Sequence, residues 1–591
     1  MKKILLPAVI LLLSISGLFY YFQQDIPGKP GQVDSVLSAI GEDSENEALG
    51  QTPAEKEAAA KAAAEREAAE KEAKLREARA ILENQRKEAL GEFYVPLPPL
   101  GQERQLETVK AKALYVTAYV AGFDFDENDV NYYAEYIRAI SGQSGKSTDT
   151  SRLGDVNKLE KALAICESTE INALVIDVKN DSGMVAWDSD IGIINQIKSN
   201  WSKPLKNYKK LMDYLDKKEI YTIARVVAFK DPYFAKQQSA HAIQLKAGGV
   251  YKDRSGMAWV NPFDEYVWKY LVAVSQEAAL RGFDEIQMDY VRFPDGAKSY
   301  NPITEFPGRD GRDKDEGIED FLKYANEALE PYQVHLSADV FGVITHTWDD
   351  KPEDIGQTWR KIANQTDYIC PMIYPSHYNA GFYGYAVPDQ NPYGVSRKAV
   401  MEGIEQSAAE MKPAILRPWF QSFTATWVKG YISYNAKAIS DQIVAAAELG
   451  VDEYILWNVS NNYDPMIFFY QKRIDSGIRK SGEDILGRTA ETALKKYLDA
   501  AKNKRYNTLY LLTPMAEREA DYDAYASTLG QAPRSLKSFQ ILSITSVEGG
   551  IGTALVKETY VSGNTVEEPV EANYQIILEN QVYKVMPAMK Q

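Results

Sequence analysis

Cysteine is nearly absent: Cys166 and Cys370 are the two in 591 residues, each inside an apolar stretch. That excludes a disulfide framework and a CxxC metal site, and both thiols are expected to be buried and inert. Histidine is as scarce. His241, His335, His346 and His377 show no HExxH or similar spacing, so no zinc site is expected, and deacetylase and metalloprotease chemistry lose their basis. Positive charge is in deficit, with 67 Lys and Arg against 83 Asp and Glu and a net charge of -16. Nucleic acid or an anionic membrane face would be repelled unless a local basic patch intervened, and no such patch is seen. No nucleic acid, metal or cofactor is expected.

What is present begins with Lys2 and Lys3 followed by an apolar run over 4–22. Its length approaches the hydrocarbon thickness, and the positive flank leaves the rest of the chain outside. The run ends in Phe19-Tyr20-Tyr21-Phe22 without a small-residue cleavage site or a lipobox cysteine. Residues 1–23 therefore read as an uncleaved anchor, making the protein a single-pass cell-membrane protein with its bulk extracytoplasmic; the alternative is secretion after signal cleavage. Residues 24–53 are rich in Gly, Pro, Ser, Asp and Glu, the composition of a disordered linker. Residues 54–92 are mostly Ala, Glu, Lys and Arg with opposite charges at i,i+4. They predict a solvated helical spacer of about 50 Å at ~1.5 Å per residue. Self-association through a coiled coil is the alternative, and the a/d seam it needs is poor.

From 108 to 470 short β-branched or apolar runs alternate with helical patterns, the signature of βα units around a parallel sheet. Eight strands are predicted, at 113–120, 173–178, 222–228, 285–290, 334–340, 368–374, 414–420 and 453–458. Helices fall between them at 158–167, 206–217, 264–281, 318–330, 358–364, 400–411 and 436–449. The fold class is α/β, a (β/α)8 TIM barrel with insertions. Residues 487–591 follow as a small α+β domain. Its opening, "TAETALKKYLDAAKNKRYNTLYLLTP", resembles a nuclear-transport-factor-like cone domain.

In such a barrel the reacting groups stand at the C-terminal ends of strands. These ends are rich in carboxylates: Asp177 and Asp181 after strand two, Arg225 and then Asp231 on strand three, Asp289 on strand four, Asp339 on strand five. Strand six delivers Tyr374 and His377, strand seven Arg417, Trp419 and Gln421, strand eight Trp457 and Asn458. Glycoside hydrolysis needs one ionised carboxylate and one protonated carboxyl flanking the bond. Side-chain alternation puts Asp289 on the face of Gln287, with Ile286 and Met288 outward, and puts Asp339 on the face of Ser337. Asp289 is assigned the ionised role because Arg292 is close in sequence and Arg225 comes from the next strand. Asp339, between Ala338 and Val340, is assigned the acid. The alternative is that one or both cap loops or pair with arginines without reacting. Tyr290, Phe293, Tyr374, Trp419 and Trp457 are expected to stack on sugar rings. Asp177, Lys179, Arg225, Gln287, Arg292, His377 and Asn458 complete the expected substrate-binding set. In "DVKNDSG" Asp181 and Gly183 also fit a chain reversal, and "GRDGRDKDEG", with Asp310, Asp313 and Asp315, reads as a solvated loop.

At these residues the chain resembles a bacterial family of glycoside hydrolases with barrel catalytic domains, through "LVIDVKNDSG", "ARVVAFKDP", "WVNPFDEYVW", "FDEIQMDYVRFP", "ADVFG" and "CPMIYPSHY", over roughly 110–465. The resemblance is to an alpha-amylase-like layout, which implies a strand-four aspartate nucleophile and a strand-five acid/base, mapping onto Asp289 and Asp339. Two departures stand out: the strand-five acid there is usually glutamate, and an arginine usually occupies the position of Gln287. The expected activity is hydrolysis of an extracellular or cell-envelope polysaccharide. The alternative is a surface-tethered barrel that binds carbohydrate without cutting it; a structural scaffold would leave the carboxylate-rich strand ends unexplained.

Overall fold

Residues 53–101, 106–144, 150–346, 354–470, 482–545 and 551–586 are described by the computed structural model. The expected anchor at 1–23 and nearly all of the expected linker lie outside them. Among the described residues no helix is long and apolar enough to cross a membrane. The chain divides into two units, one built on the charged helix and one holding the rest.

The helix Pro53–Leu90 spans about 57 Å at ~1.5 Å per residue. Ion pairs Glu67–Lys71, Glu70–Lys74 and Glu72–Arg76 lie along it in fully solvated positions, where each adds only a few tenths of a kcal/mol. Its last turns instead hold the returning chain, Glu83 accepting from the Leu97 amide at 2.8 Å and Arg79 donating to the Pro98 carbonyl at 2.7 Å.

In the second unit the strands are β1 Lys112–Val116, β2 Ala173–Lys179, β3 Tyr221–Val227, β4 Glu285–Asp289, β5 His335–Phe341, β6 Tyr368–Ile373, β7 in two pieces (Ile415–Leu416 and Trp419–Gln421) and β8 Tyr454–Trp457. Each pairs in parallel with the next. The pairing of Lys112 with Tyr454 closes β8 onto β1, giving the TIM barrel expected. Local chemistry explains where bounds differ. β1 stops at Val116 because the Thr117 hydroxyl accepts the Val120 amide and caps the helix Ala118–Ala121. β7 breaks around Pro418, which has no N–H for the ladder. The helix Pro392–Ser407 starts well before residue 400, with proline in its first turn. The helix Lys314–Leu329 starts early on an Asp313/Glu316 capping box. That corrects the solvated-loop reading from Lys314 on, since Asp315 is 2% exposed and accepts from Thr358 at 2.7 Å, whereas Gly308, Asp310 and Gly311 before it are exposed in a turn.

Alanines on β1 and β2 leave room inside the barrel for the larger Tyr115, Tyr368, Tyr374 and Trp419. The floor is an ion cluster. Buried Arg417 donates to Glu285 at 2.8 Å and to Glu453 at 2.9 Å and lies 3.6 Å over the Tyr368 ring. Arg417 is thus at the N-terminal end of the barrel rather than at the strand ends where the sequence reading put it. Cys370 is buried as expected, but Cys166 is only half-buried.

Beyond the barrel, helices Ala490–Lys502, Tyr506–Leu512 and Tyr522–Gly530 precede an antiparallel sheet ordered β9 Ser535–Ile544, β10 Ile551–Ser562, β11 Val570–Glu579 and β12 Val582–Met586. Ala493, Leu494 and Leu498 share one face of the first helix and pack on Val556, Ile576 and Val585. The joint to the barrel is apolar, where Ala408 meets Leu486 and Val582 and Ala409 meets Tyr510 and Leu511, and also ionic. Arg488 donates to Glu405 on Pro392–Ser407 at 2.7 Å and Lys496 reaches the same carboxylate. Burial alone would raise that carboxyl, yet the two cations hold it at about 2.

Candidate active site

β2, β3 and β4 run in register, with Asp177 beside Arg225 and Val227 beside Asp289, so three charged inward side chains meet at the barrel mouth. Arg225 bridges them. Its Nη1 donates to Asp177 at 2.6 Å and its Nε to Asp289 at 2.9 Å, and its Nη2 also reaches Asp289. The other oxygen of Asp289 accepts the Tyr290 amide at 2.6 Å, and Tyr290 has a φ of 49°. The other oxygen of Asp177 accepts the Tyr115 hydroxyl at 2.6 Å. Tyr115 stacks on Trp457 with centroids 4.1 Å apart, and the guanidinium lies 5.6 and 5.4 Å from these two rings. Burial pushes the Asp177 carboxyl up, against the pull of Arg225 and Tyr115.

Asp339 meets a different environment. It is 1% exposed; one oxygen accepts the Trp419 indole N–H at 2.6 Å, and Oδ2 has no hydrogen-bond partner. Burial first, and then the charge of Asp289, push its carboxyl well above the usual range. Met288 pairs with Ala338, so Asp289 and Asp339 are the next residues along adjacent strands, which lie about 4.8 Å apart. Tyr374 completes the wall. Burial and then the charges of Asp339 and Asp289 push its hydroxyl up.

Asp289, Asp339, Asp177, Arg225, Tyr374, Trp419 and Trp457 are thus brought together. Others of the expected set are not. Arg292 does not reach Asp289; it donates to the Phe293 carbonyl at 2.8 Å and lies over Phe341 at 4.4 Å and Trp259 at 5.0 Å. A register shift between Asp177 and Lys179 turns Lys179 out of the inward row. It is fully buried, donating to the Val227 carbonyl at 2.6 Å and pairing with Asp231 at 2.8 Å. Gln287 sits within the barrel, its amide 3.4 Å from the Cys370 sulfur. Phe293, four residues past the end of β4, packs on Phe263 and Phe306. Asn458 spends its amide on the Ser422 and Asn462 carbonyls, tying a turn. His377 is exposed beside the site, and Tyr290 lies 4.6 Å under the Lys230 ammonium. Tyr115 and Lys230 were missed by the sequence reading: strand one ends without a charge, and Lys230 lies just past strand three.

The reversal read into "DVKNDSG" is present, with Asn180 accepting the Ser182 and Met184 amides, each at 3.1 Å. Gly183 has φ +87°, and a Cβ there would stand 2.1 Å from Asp231 Oδ1. Gly183→Ala is expected to destabilise the protein by about 1–3 kcal/mol through backbone strain and displacement of Asp231 from Lys179. A urea midpoint equal to the parent's would refute this.

Among the described residues no group of three or more His, Cys, Asp or Glu side chains could hold a metal ion. Against known proteins, the family model described as "Putative glycosyl hydrolase domain" matches residues 148–463. The chain belongs to that family. The match runs from before β2 to just past β8, so every inward carboxylate of this glycosyl hydrolase domain lies inside it. No curated protein matches. Among solved structures, a hypothetical protein from Ruminiclostridium thermocellum is 31% identical over 38% of this chain and 97% of its own, with a TM-score of 0.30. The alpha-galactosidase of Thermus thermophilus is 9% identical over 64% and 65%, with a TM-score of 0.34. The spore cortex-lytic enzyme SleL of Bacillus megaterium is 12% identical over 64% and 75%, with a TM-score of 0.34. The family match ends at residue 463 and does not reach the C-terminal α+β unit.

Proposed function

We propose that this member of the glycosyl hydrolase family cuts glycosidic bonds with Asp289 as the ionised carboxylate and Asp339 as the acid. The observation that supports this division is the contrast between the two groups. Asp289 is salt-bridged to Arg225, whereas Asp339 is buried with an oxygen that has no partner. A buried carboxylate without a counter-charge is costly enough to take up a proton. The unpartnered Oδ2 is where that proton resides and from which it passes to the leaving glycosidic oxygen. Asp289 then either attacks the anomeric carbon or takes a proton from water. Arg225 does from β3 what the alpha-amylase-like layout does with an arginine at the Gln287 position. The substrate we propose is a cell-envelope polysaccharide, in keeping with the Lys2-Lys3 flank and the apolar run at 4–22.

A second reading has its own support. Both oxygens of Asp289 already accept hydrogen bonds, as they would in a barrel that binds sugar without turnover. Reducing-end release from a panel of cell-wall and exopolysaccharide glycans, wild type beside Asp289→Asn, separates the two. The expected result is a fall of about 10³-fold or more in the variant with its fold intact. Equal glycan binding by both proteins with no sugar released by either would establish the binding barrel instead.

A further inference from the structure

Trp427, on the loop between β7 and the helix Ala436–Ala447, is 68% exposed, yet its ring is held. It stacks on Phe423 with centroids 5.9 Å apart and planes 20° apart, and the His377 ring stands perpendicular to it at 6.4 Å. The loop itself is tied to the loop that follows β6. Gln390 donates to the Gly430 carbonyl at 2.7 Å, the Asp389 carboxylate accepts the Ile432 amide at 3.1 Å, and the Tyr434 hydroxyl donates to the Asp389 carbonyl at 3.1 Å. Phe423 lies against one face of the indole, and the other face is left to solvent. An apolar plane whose orientation is set in advance loses little freedom when a ligand ring lands on it.

A continuous row of rings joins this plane to the carboxylates. Tyr374, whose hydroxyl is pushed up by burial and then by the charges of Asp339 and Asp289, has its ring 5.9 Å from Phe423 and 5.4 Å from His377. Phe423 in turn carries Trp427. Asp289 ends β4, Asp339 lies on β5, Tyr374 follows β6 and Phe423 follows β7, and these strands are neighbours in that order. The row therefore begins beside Asp339 and runs away from Asp289. His377 adds a polar group to it: its Nδ1 is paired with Ser376 Oγ at 2.9 Å, while its Nε2 makes no hydrogen bond among the described residues.

We propose that Trp427 and His377 form a sugar subsite on the leaving-group side of the scissile bond. The open face of Trp427 stacks on a pyranose ring of the departing chain, and His377 Nε2 hydrogen-bonds one of that sugar's hydroxyls. The direction rests on the hydrolase reading above. The acid must reach the glycosidic oxygen, and the departing chain begins at that oxygen. Its sugars therefore extend from Asp339 toward β6 and β7, where the rings stand. The consequence is a preference for glycans over small glycosides, because a leaving group as short as a phenol ends before it reaches Trp427.

Binding and turnover are measured separately. Affinity electrophoresis of the full chain carrying Asp289→Asn is run in gels containing hydroxyethylcellulose, xylan, laminarin, pullulan or glycol chitosan. At least one polymer is expected to retard it, and adding Trp427→Ala is expected to weaken that retardation on the order of tenfold. Trp427→Phe should recover part of the loss, and His377→Ala should weaken binding by a smaller factor. With Asp289 restored, Trp427→Ala should lower kcat/KM on the retarding glycan on the order of tenfold, and by far less on aryl glycosides of the same sugar. Retardation by none of the five polymers, or retardation that is equal with and without Trp427, overturns the subsite. Equal losses on glycan and aryl glycoside overturn its place on the leaving-group side. If Trp427→Ala weakens retardation while the wild type releases no reducing ends, the sugar platform stands and the hydrolytic reading falls.

Discussion

Asp339→Asn is expected to lower kcat by about 10²–10⁴-fold on glycans whose leaving group is another sugar, and by far less on aryl glycosides that release an acidic phenol. The sugar alkoxide must be protonated as it departs, and the phenolate need not be. Asparagine fills the same volume beside Trp419 and keeps an oxygen for the indole N–H, so the fold should persist. pH supplies a second readout. Burial and the neighbouring Asp289 raise the Asp339 carboxyl, so the acid form survives above the ordinary carboxylate range and activity falls as pH rises through the raised value. Stability has the same sign. The contribution of the protonated group is fully present below the unfolded pKa and is lost as pH rises through the folded one. The variant should lack both alkaline losses. Equal kcat losses on the two substrate types, or an alkaline limb that persists in the asparagine variant, would remove Asp339 from the role of acid.

The pairing of Asp289 with Asp339 was legible because alternation along a strand is local: Gln287 and Ser337 share their faces, and a parallel barrel brings adjacent strand ends together. Arg225 was legible for the same reason. Arg292 was not, because nearness in sequence is not nearness in space once the chain leaves β4 and Tyr290 adopts a left-handed backbone. Lys179 obeyed the alternation on paper, but the register shift after Asp177 carried it out of the row. No periodicity of its own chain announces such a shift. Tyr115 was invisible as an uncharged residue on a strand with no carboxylate. The helix Pro392–Ser407 was shortened because its first turns, from Pro392 to Lys398, hold proline, glycine and few apolar residues, and only packing shows them helical.

Arg225→Met should be the most damaging single change to stability at the mouth. It leaves Asp177 and Asp289 in the barrel without their shared cation, and breaking a buried ion pair from one side costs about 3–5 kcal/mol. Arg225→Lys should recover only part of this, because one ammonium cannot reproduce a planar fork that holds carboxylates from β2 and β4 together. The deficit should also depend on pH. Burial already pushes the Asp177 carboxyl up against the pull of Arg225; without the guanidinium it would protonate more readily in the folded state, so the variant regains stability as pH falls from 7.5 to 4.5. Urea unfolding of parent and variant at these two pH values checks this; a deficit below about 1 kcal/mol at both would mean that Arg225 is not what holds the carboxylates. Adding Asp177→Asn to Arg225→Met removes one of the stranded charges and should restore stability without restoring turnover. That outcome would separate the three aspartates by role. In the proposed reaction Asp177, tied to Tyr115 and Arg225, would set the position of the guanidinium, the guanidinium would set the position of Asp289, and Asp289 with Asp339 would meet the glycosidic bond.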